Sequence, residues 1–158
     1  MYKKKSFFIV FEGIEGSGKS YQARKLYKNL RRNKVQTIIT REPGGTEAAE
    51  KIRELILKDY FYTDTKKQFD KNTDTLLYMA ARNEHVQNKI LPAIKSKKVI
   101  ICDRFIDSTF AYQVYGKQVN KELVQSIHKH ILGSLRPNLT VLLKVNINKA
   151  IKRIKKRR

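Results

Sequence analysis

A glycine-rich segment near the start of the chain has the residues best suited to binding a phosphate. Residues 13–20 read Gly-Ile-Glu-Gly-Ser-Gly-Lys-Ser, which fits the pattern G-x-x-x-x-G-K-[ST] of a phosphate-binding loop. In such a loop the backbone N–H groups surround phosphate oxygens, the lysine reaches the β- and γ-phosphates, and the hydroxyl ligates Mg²⁺. The residues predicted to bind the nucleoside triphosphate are Gly13, Ile14, Glu15, Gly16, Ser17, Gly18, Lys19 and Ser20.

Apolar runs predict the strands that must position this loop. The run at 7–11 directly precedes the loop, and further runs occupy 35–39, 99–102 and 139–145. Helical periodicity separates them, which is typical of βαβ units and a parallel sheet flanked by helices. The predicted helices run over 19–33, 46–58, 73–94 with a bend or end at Pro92, from about 107, over 121–132, and from 148. The segment 59–72 is predicted to be a connection.

Two further segments place polar residues at the ends of predicted strands. The sequence Arg-Glu-Pro-Gly-Gly-Thr at 41–46 forces a tight turn after the second strand, and Arg53 follows on the next helix. Asp103 and Arg104 follow the third strand, where a carboxylate could bind Mg²⁺ directly or through water and a guanidinium could clamp a phosphate. Taken alone, an Asp-Arg pair at a strand end could also serve only to cap and cross-link.

Composition sets the broad class of the protein. A chain of 158 residues with 41% apolar content supports one α/β domain, predicted over 1–158. No apolar run approaches the roughly 18 residues of a membrane span, so we expect a cytoplasmic protein with no membrane partner. Cys102, the single cysteine, lies in an apolar run and is expected in the core. The net charge of +21 comes from lysines along the whole chain, so we expect no dedicated nucleic-acid role.

Four motifs in order give the chain a specific resemblance. They are Phe-Glu-Gly-Ile-Glu-Gly-Ser-Gly-Lys-Ser, Thr-Arg-Glu-Pro-Gly-Gly-Thr, Leu-Leu-Tyr-Met-Ala-Ala-Arg and Asp-Arg-Phe-Ile-Asp-Ser-Thr-Phe-Ala-Tyr-Gln. The chain resembles bacterial thymidylate kinases from Ser6 to about Arg153. The resemblance implies a P-loop kinase fold and transfer of the ATP γ-phosphate to dTMP, giving dTDP and ADP, with Mg²⁺.

The resemblance also implies the residues that bind dTMP. Glu15 corresponds to the acid that meets the sugar 3′-hydroxyl, although it could be a solvated loop charge. Arg53 and Arg104 correspond to the pair that holds the 5′-phosphate. Tyr78 corresponds to the ring that stacks on thymine, and Arg82, one helical turn later, to the group that reaches a base oxygen; alone, they would be read as core packing and a solvated surface charge. Further residues of the implied nucleoside pocket are Thr109, Tyr112 and Gln113. The family also implies a cis peptide before Pro43.

The acceptor chemistry needs few catalytic groups. A phosphate monoester is already anionic at neutral pH, so no general base is required, and His85, His128 and His130 are expected to be structural or exposed, the last two on a distant helix. In one branch of the family an arginine inside the phosphate loop supplies a cation over the transferring phosphoryl group. The stretch 15–17 contains no arginine, so the chain resembles the other branch, in which a mobile lid supplies that cation. Arg153, followed by Arg157, falls at the start of that lid. The predicted catalytic residues are Lys19, Arg104 and Arg153.

The resemblance departs from the family near the last residues. Family chains continue through the rest of the lid, a further helix, a fifth strand and a final helix, so we expect a chain truncated at the lid; a basic tail that binds RNA or membrane is the competing explanation for 155–158. The family is usually homodimeric. The alternative functions are another P-loop deoxynucleoside or nucleoside monophosphate kinase, or a non-catalytic nucleotide- or nucleic-acid-binding protein.

Overall fold

The computed structural model describes residues 5–62 and 68–156. The strands are β1 (Phe7–Glu12), β2 (Thr37–Arg41), β3 (Val99–Asp103) and β4 (Leu139–Leu142). The helices are α1 (Lys19–Arg32), α2 (Glu47–Tyr62), α3 (Lys71–His85), α4 (Leu91–Lys95), α5 (Ile106–Thr109), α6 (Lys121–Leu132) and α7 (Ile147–Lys155), with π-helical segments at Val86–Ile90 and Phe110–Gly116. None of the helices in these ranges is long and apolar enough to cross a membrane.

The strands of the described residues form one four-stranded sheet in the order β2-β3-β1-β4. The pairs of β1 with β3 and with β4 are parallel, with Phe11 opposite Asp103 and Val141. The predicted α/β class with four strands flanked by helices is confirmed. Because β1 is central, the loop that follows it begins at the carboxyl edge where β3 also ends.

The described chain divides into two compact units. The first unit is drawn from Met1–Thr40, Ala93–Phe105 and Pro137–Arg158, and contains the sheet up to Thr40. In its core the apolar face of α1 packs against β1 and β3, through Ala23, Ile9 and Ile101. Cys102 is buried with no exposed area, as expected. This packing fixes α1 and therefore the loop that leads into it.

The second unit is drawn from Arg41–Pro92 and Ile106–Arg136. Its core contains Met79 of α3 and Val124 of α6, with Val114 of the π-helical segment at Phe110–Gly116. The prediction of one domain over 1–158 stays a prediction.

Two predicted helices differ from the structure. The second helix continues past residue 58 to Tyr62, so part of the predicted connection is helical. The third predicted helix is not one regular helix, because a π-helical segment, Val86–Ile90, separates α3 from α4. Pro92 has no N–H to donate to the preceding turn, and a local change of hydrogen-bond register accommodates a proline inside a helical run. Residues 63–67 of the predicted connection lie outside the described residues.

Candidate active site

The phosphate-binding loop lies between β1 and α1, as the sequence predicts. Gly16 has φ 75°, and a Cβ at this position would lie 2.6 Å from the carbonyl oxygen of Ala150 in α7. Gly18, the residue before α1, is left-handed with φ 99°. Other residues rarely adopt such φ values, so the loop's path depends on these glycines. The amide of Ser17 donates to the carbonyl of Ile14 at 3.2 Å, which closes the turn.

Lys19 lies folded against its own loop. Its side chain is buried, and Nζ donates to the carbonyl oxygen of Ile14 at 2.8 Å. Burial and then the nearby charge of Arg104 lower the pKa of Lys19 from its ordinary value. A phosphate oxygen could replace the Ile14 carbonyl as the acceptor, because the same ammonium offers three donors.

Ser20 and Asp103 meet at the start of α1. The Ser20 hydroxyl donates to Oδ2 of Asp103, while Oδ1 of Asp103 is buried and has no hydrogen-bond partner among the described residues. A buried carboxylate oxygen left over in this way fits a hard cation such as Mg²⁺, which takes one or two protein oxygens and completes its shell with phosphates and water. Within the described ranges, no three His, Cys, Asp or Glu side chains cluster as a metal site of their own.

Arg104 leaves the sheet at the end of β3. Its backbone has φ 72°, which is uncommon for a residue other than glycine, and its Nη1 donates to the carbonyl of Gly13 at 3.3 Å. The amide of Arg104 donates to the carbonyl of Phe11 at 2.9 Å. A predicted phosphate-binding arginine thus lies against the first residue of the loop.

Arg153 also contacts the loop, from α7. Its Nη1 donates to the carbonyl of Gly16 at 3.1 Å, although its side chain is exposed. Helix α7 is held at its start by Asn146, whose side chain accepts from the amides of Asn148 and Lys149. Glu15, at the tip of the loop, is exposed. Arg157, the second predicted lid arginine, lies outside the described residues.

In the second unit the segment 41–46 forms the predicted turn, and the Glu42–Pro43 peptide is cis, as the resemblance implied. Arg53 donates from Nη1 to the carbonyl of Pro43 at 2.8 Å. Glu50 accepts from the amide of Gly45 and from Arg41, both at 2.8 Å. The turn therefore fixes one end of the Arg53 guanidinium.

Arg82 is the centre of a buried polar cluster, only 3% exposed, which rules out the interpretation as a solvated surface charge. Its Nε and Nη2 each donate to Oε2 of Glu42 at 2.7 Å, and its Nη1 donates to Oγ1 of Thr109 at 2.9 Å. Nη1 also donates to Nε2 of His128. We call Glu42, Arg82, His85, Thr109 and His128 the Arg82 cluster.

The charges of the Arg82 cluster are balanced. Burial alone would raise the pKa of Glu42, but Arg82 and a hydrogen bond from His85, 3.0 Å away, hold it below its ordinary value. Burial, reinforced by the positive charge of Arg82, lowers the pKa of His128 to about 4. His128 is therefore neutral at pH 7, with Nε2 as the acceptor and the proton on Nδ1, which is buried and has no partner among the described residues.

His128 corrects the expectation of a distant helix, because α6 brings it into direct contact with Arg82. His85 is fully buried and structural, as expected, and His130 is exposed. The sequence reasoning also missed Glu42 as a partner of Arg82. The position of Glu42, directly after a strand and before a proline, could have indicated this contact. An acidic residue there can direct its side chain toward neighbouring elements.

The remaining predicted residues differ in exposure. Tyr112 is 45% exposed, and Tyr78 is half-buried. Gln113 is buried and donates from Nε2 to Oδ2 of Asp74 at 3.4 Å. Asp74, fully buried, also accepts from Lys117 at 2.9 Å. The described contacts of Gln113 thus serve the core of the second unit.

Comparison with known proteins gives a consistent result. The sequence profile of the family described as thymidylate kinase matches residues 11–158. A thymidylate kinase of Kosmotoga olearia is 41% identical over 149 residues, which cover 94% of this chain and 69% of that protein. One of Clostridium novyi is 41% identical over 153 residues, covering 96% and 72%. The crystal structure of thymidylate kinase from Ehrlichia chaffeensis matches with a TM-score of 0.79 and 35% identity, over 96% of this chain and 83% of that one.

Proposed function

The chain belongs to the thymidylate kinase family, and on that premise we propose that it transfers the γ-phosphoryl group of ATP to dTMP, giving dTDP and ADP. The observation that carries the proposal is the phosphate loop. In it, the Lys19 ammonium donates to the Ile14 carbonyl and the Ser20 hydroxyl donates to Asp103. A loop that can exchange an internal carbonyl for a phosphate oxygen suits a triphosphate donor.

The donor is held by the first unit. We assign the triphosphate to the loop amides and to Lys19, whose flexible ammonium can follow charge onto the leaving β-phosphate. We assign Mg²⁺ to Ser20 and Asp103, because Asp103 keeps a buried oxygen that has no hydrogen-bond partner among the described residues. When bound, Mg²⁺ neutralises charge on the phosphates. We also assign to Arg153 the lid cation that the loop itself lacks; its contact with Gly16 supports this role.

For the acceptor we assign the 5′-phosphate to Arg53 and Arg104, whose planar guanidinium groups suit bidentate binding of phosphate. The nucleoside is assigned to Glu15, Tyr78, Arg82, Thr109, Tyr112 and Gln113. The phosphate monoester of dTMP supplies its own nucleophilic oxygen, so the residues need only bind, orient and exclude water. His128, neutral and bonded to Arg82, is not required as a base.

The test is ADP formation from ATP and Mg²⁺ with dTMP, dUMP, dCMP, dAMP, dGMP or thymidine as the acceptor. We expect turnover with dTMP to exceed that with dCMP, dAMP and dGMP by about a hundredfold, since a site built to hydrogen-bond one base rejects bases with different donors and acceptors. Similar rates with all monophosphates would instead identify a broad-specificity monophosphate kinase. Loss of the rate on chelation, with recovery on adding Mg²⁺, tests the metal assignment.

Three further assignments accompany this function. We propose a homodimer, as the family implies, which sedimentation velocity tests against the chain mass of 18.5 kDa. We propose a cytoplasmic location, where ATP and dTMP are available. We assign no dedicated nucleic-acid role, because basic residues occur on α1, α6 and α7 and not on one element alone. Tight, steeply salt-dependent binding to random DNA would contradict that assignment.

A further inference from the structure

Glu12 is a buried carboxylate to which neither the loop pattern nor the assigned substrate contacts give a role. It is the last residue of β1, and it is 4% exposed. A carboxylate is costly to bury unless hydrogen bonds or cations compensate. The contacts of Glu12 therefore indicate what it is there to hold.

One hydrogen bond of its side chain is with the backbone just beyond β3. The ladder between β1 and β3 ends with Phe11 opposite Asp103, and one more backbone bond follows, from the amide of Arg104 to the carbonyl of Phe11 at 2.9 Å. The next amide, that of Phe105, donates to Oε1 of Glu12 at 2.8 Å. The Glu12 side chain therefore bonds the second amide beyond β3, where the chain leaves the sheet.

The residue between these two bonds is Arg104, with φ 72°. An arginine backbone is strained in the left-handed conformation, so it keeps that conformation only where the surrounding structure holds it. The amides of Arg104 and Phe105 are bonded to consecutive residues of β1, and the Phe105 ring is anchored edge-on against Phe8, with centroids 5.1 Å apart. The strand that leads into the phosphate loop therefore sets the direction from which the Arg104 side chain departs.

We propose that Glu12 is a positioning residue that holds Arg104 in its left-handed conformation, and so orients its guanidinium for the phosphate of the acceptor nucleotide. The inference rests on the proposed function, in which Arg104 binds the 5′-phosphate of dTMP. Glu12 acts through the Phe105 amide and does not itself touch substrate. The bond to the Phe105 amide depends on the acceptor oxygen of Glu12, whereas the negative charge of Glu12 acts on Lys19.

The first test compares two substitutions of similar size. Glu12→Gln keeps an acceptor oxygen and removes the charge, whereas Glu12→Met removes both. We expect E12M to raise KM for dTMP between about tenfold and about a hundredfold, and E12Q to raise it less than about threefold. Glu122→Gln, on the exposed face of α6, is the control and should leave both parameters unchanged. Equal losses in E12M and E12Q, or no loss in E12M, would overturn the proposal.

The second test asks whether the effect passes through Arg104. In an Arg104→Ala background the extra effect of E12M on KM for dTMP should fall to less than about twofold, because coupled residues are non-additive. A purely structural role of Glu12 would lower the thermal midpoint but leave the two effects on KM independent. Additive effects would therefore overturn the positioning role.

Amide hydrogen exchange covers the case in which E12M does not fold. The Phe105 amide should be protected in the wild type and remain protected in E12Q; free exchange in the folded wild type would overturn the proposal. This measurement also distinguishes a failure of the proposed function from a failure of the role proposed for Glu12. If the wild type lacks dTMP-dependent turnover, the proposed function fails, whereas the exchange data still report whether Glu12 holds the backbone at Arg104.

Discussion

At the scale of single residues, the phosphate loop makes the most direct prediction. Lys19→Ala should lower kcat by between about a hundredfold and about a thousandfold, because in the proposed function Lys19 donates to charge that develops in the transition state. Circular dichroism should show an unchanged fold. Lys25→Ala, a nearby exposed lysine of α1, is the matched control. Normal turnover in K19A would contradict the donor assignment.

The buried contacts of Arg82 predict a large loss of stability when the arginine is removed. Arg82→Ala leaves the buried carboxylate of Glu42 without its main partner, so it should lower the free energy of unfolding by about 3 to 5 kcal/mol in urea titrations. The control is Arg41→Ala, which breaks the exposed pair with Glu50 and should cost at most about 1 kcal/mol. Similar costs for the two variants would show that the Arg82 cluster is not tightly packed.

The same cluster predicts a dependence of stability on pH. The pKa of His128 falls from 6.5 in the unfolded chain to about 4 in the fold, so the unfolded chain binds more protons between these values. The free energy of unfolding should therefore decrease as the pH falls from about 6.5 towards 4. The lowered pKa of Glu42 acts in the same direction below 4.5.

His128→Gln keeps an acceptor for Arg82 and should flatten this slope in urea titrations across the window. His130→Gln changes an exposed histidine of the same helix and should leave the slope as it is. An unchanged slope in H128Q would mean that another group titrates there.

At the scale of elements, the contact between α7 and the phosphate loop can be tested by Gly16→Ala. The added Cβ would lie 2.6 Å from a backbone oxygen of α7, so we expect displaced packing and ATP binding weakened by about tenfold or more, measured by calorimetry. Gly133→Ala is the control: Gly133 also has positive φ, but no atom of the described residues lies within 4 Å of where its Cβ would be. That variant should lose stability without losing ATP affinity. Equal ATP affinity in G16A and the wild type would contradict the prediction.

Helices and strands could be told apart in the sequence because each has its own hydrophobic period. The residues at which they begin and end were harder to predict. Val35 is apolar yet precedes β2, because it packs into the core while its amide donates to Leu30. Leu143 lies beyond β4 for a similar reason, with its amide bonded to the carbonyl of Glu12. Apolar character reports burial, and burial continues past the last ladder bond. The loop, by contrast, carries its conformation in its own glycines.

The Arg82 cluster could not be predicted in full, because its partners lie far apart in sequence. Glu42 and His128 approach Arg82 across separations of 40 and 46 residues. A helical pattern gives the face on which a histidine lies, but not the element that the face packs against. The resemblance singled out Arg82 and Thr109, whereas the acid and the histidine that neutralise and orient the guanidinium required the tertiary structure.

At the scale of the whole molecule, the net charge of +21 should oppose compactness through self-repulsion. Raising NaCl from about 0.05 M to about 0.5 M shortens the screening length several-fold, so the thermal midpoint should rise. Differential scanning calorimetry at pH 7 measures this shift. A midpoint that falls with salt would show that attractive pairs, such as Lys58 with Glu54, outweigh the repulsion.

The left-handed backbone at Arg104 places stability and activity in conflict. Glycine adopts this conformation without strain, so a sequence selected for stability alone would favour it at position 104. Glycine would also remove the guanidinium to which we assign the acceptor phosphate. Protein engineers who screen variants of this enzyme for heat resistance alone should therefore recover catalytically impaired clones at this position, and such screens need a paired selection for turnover.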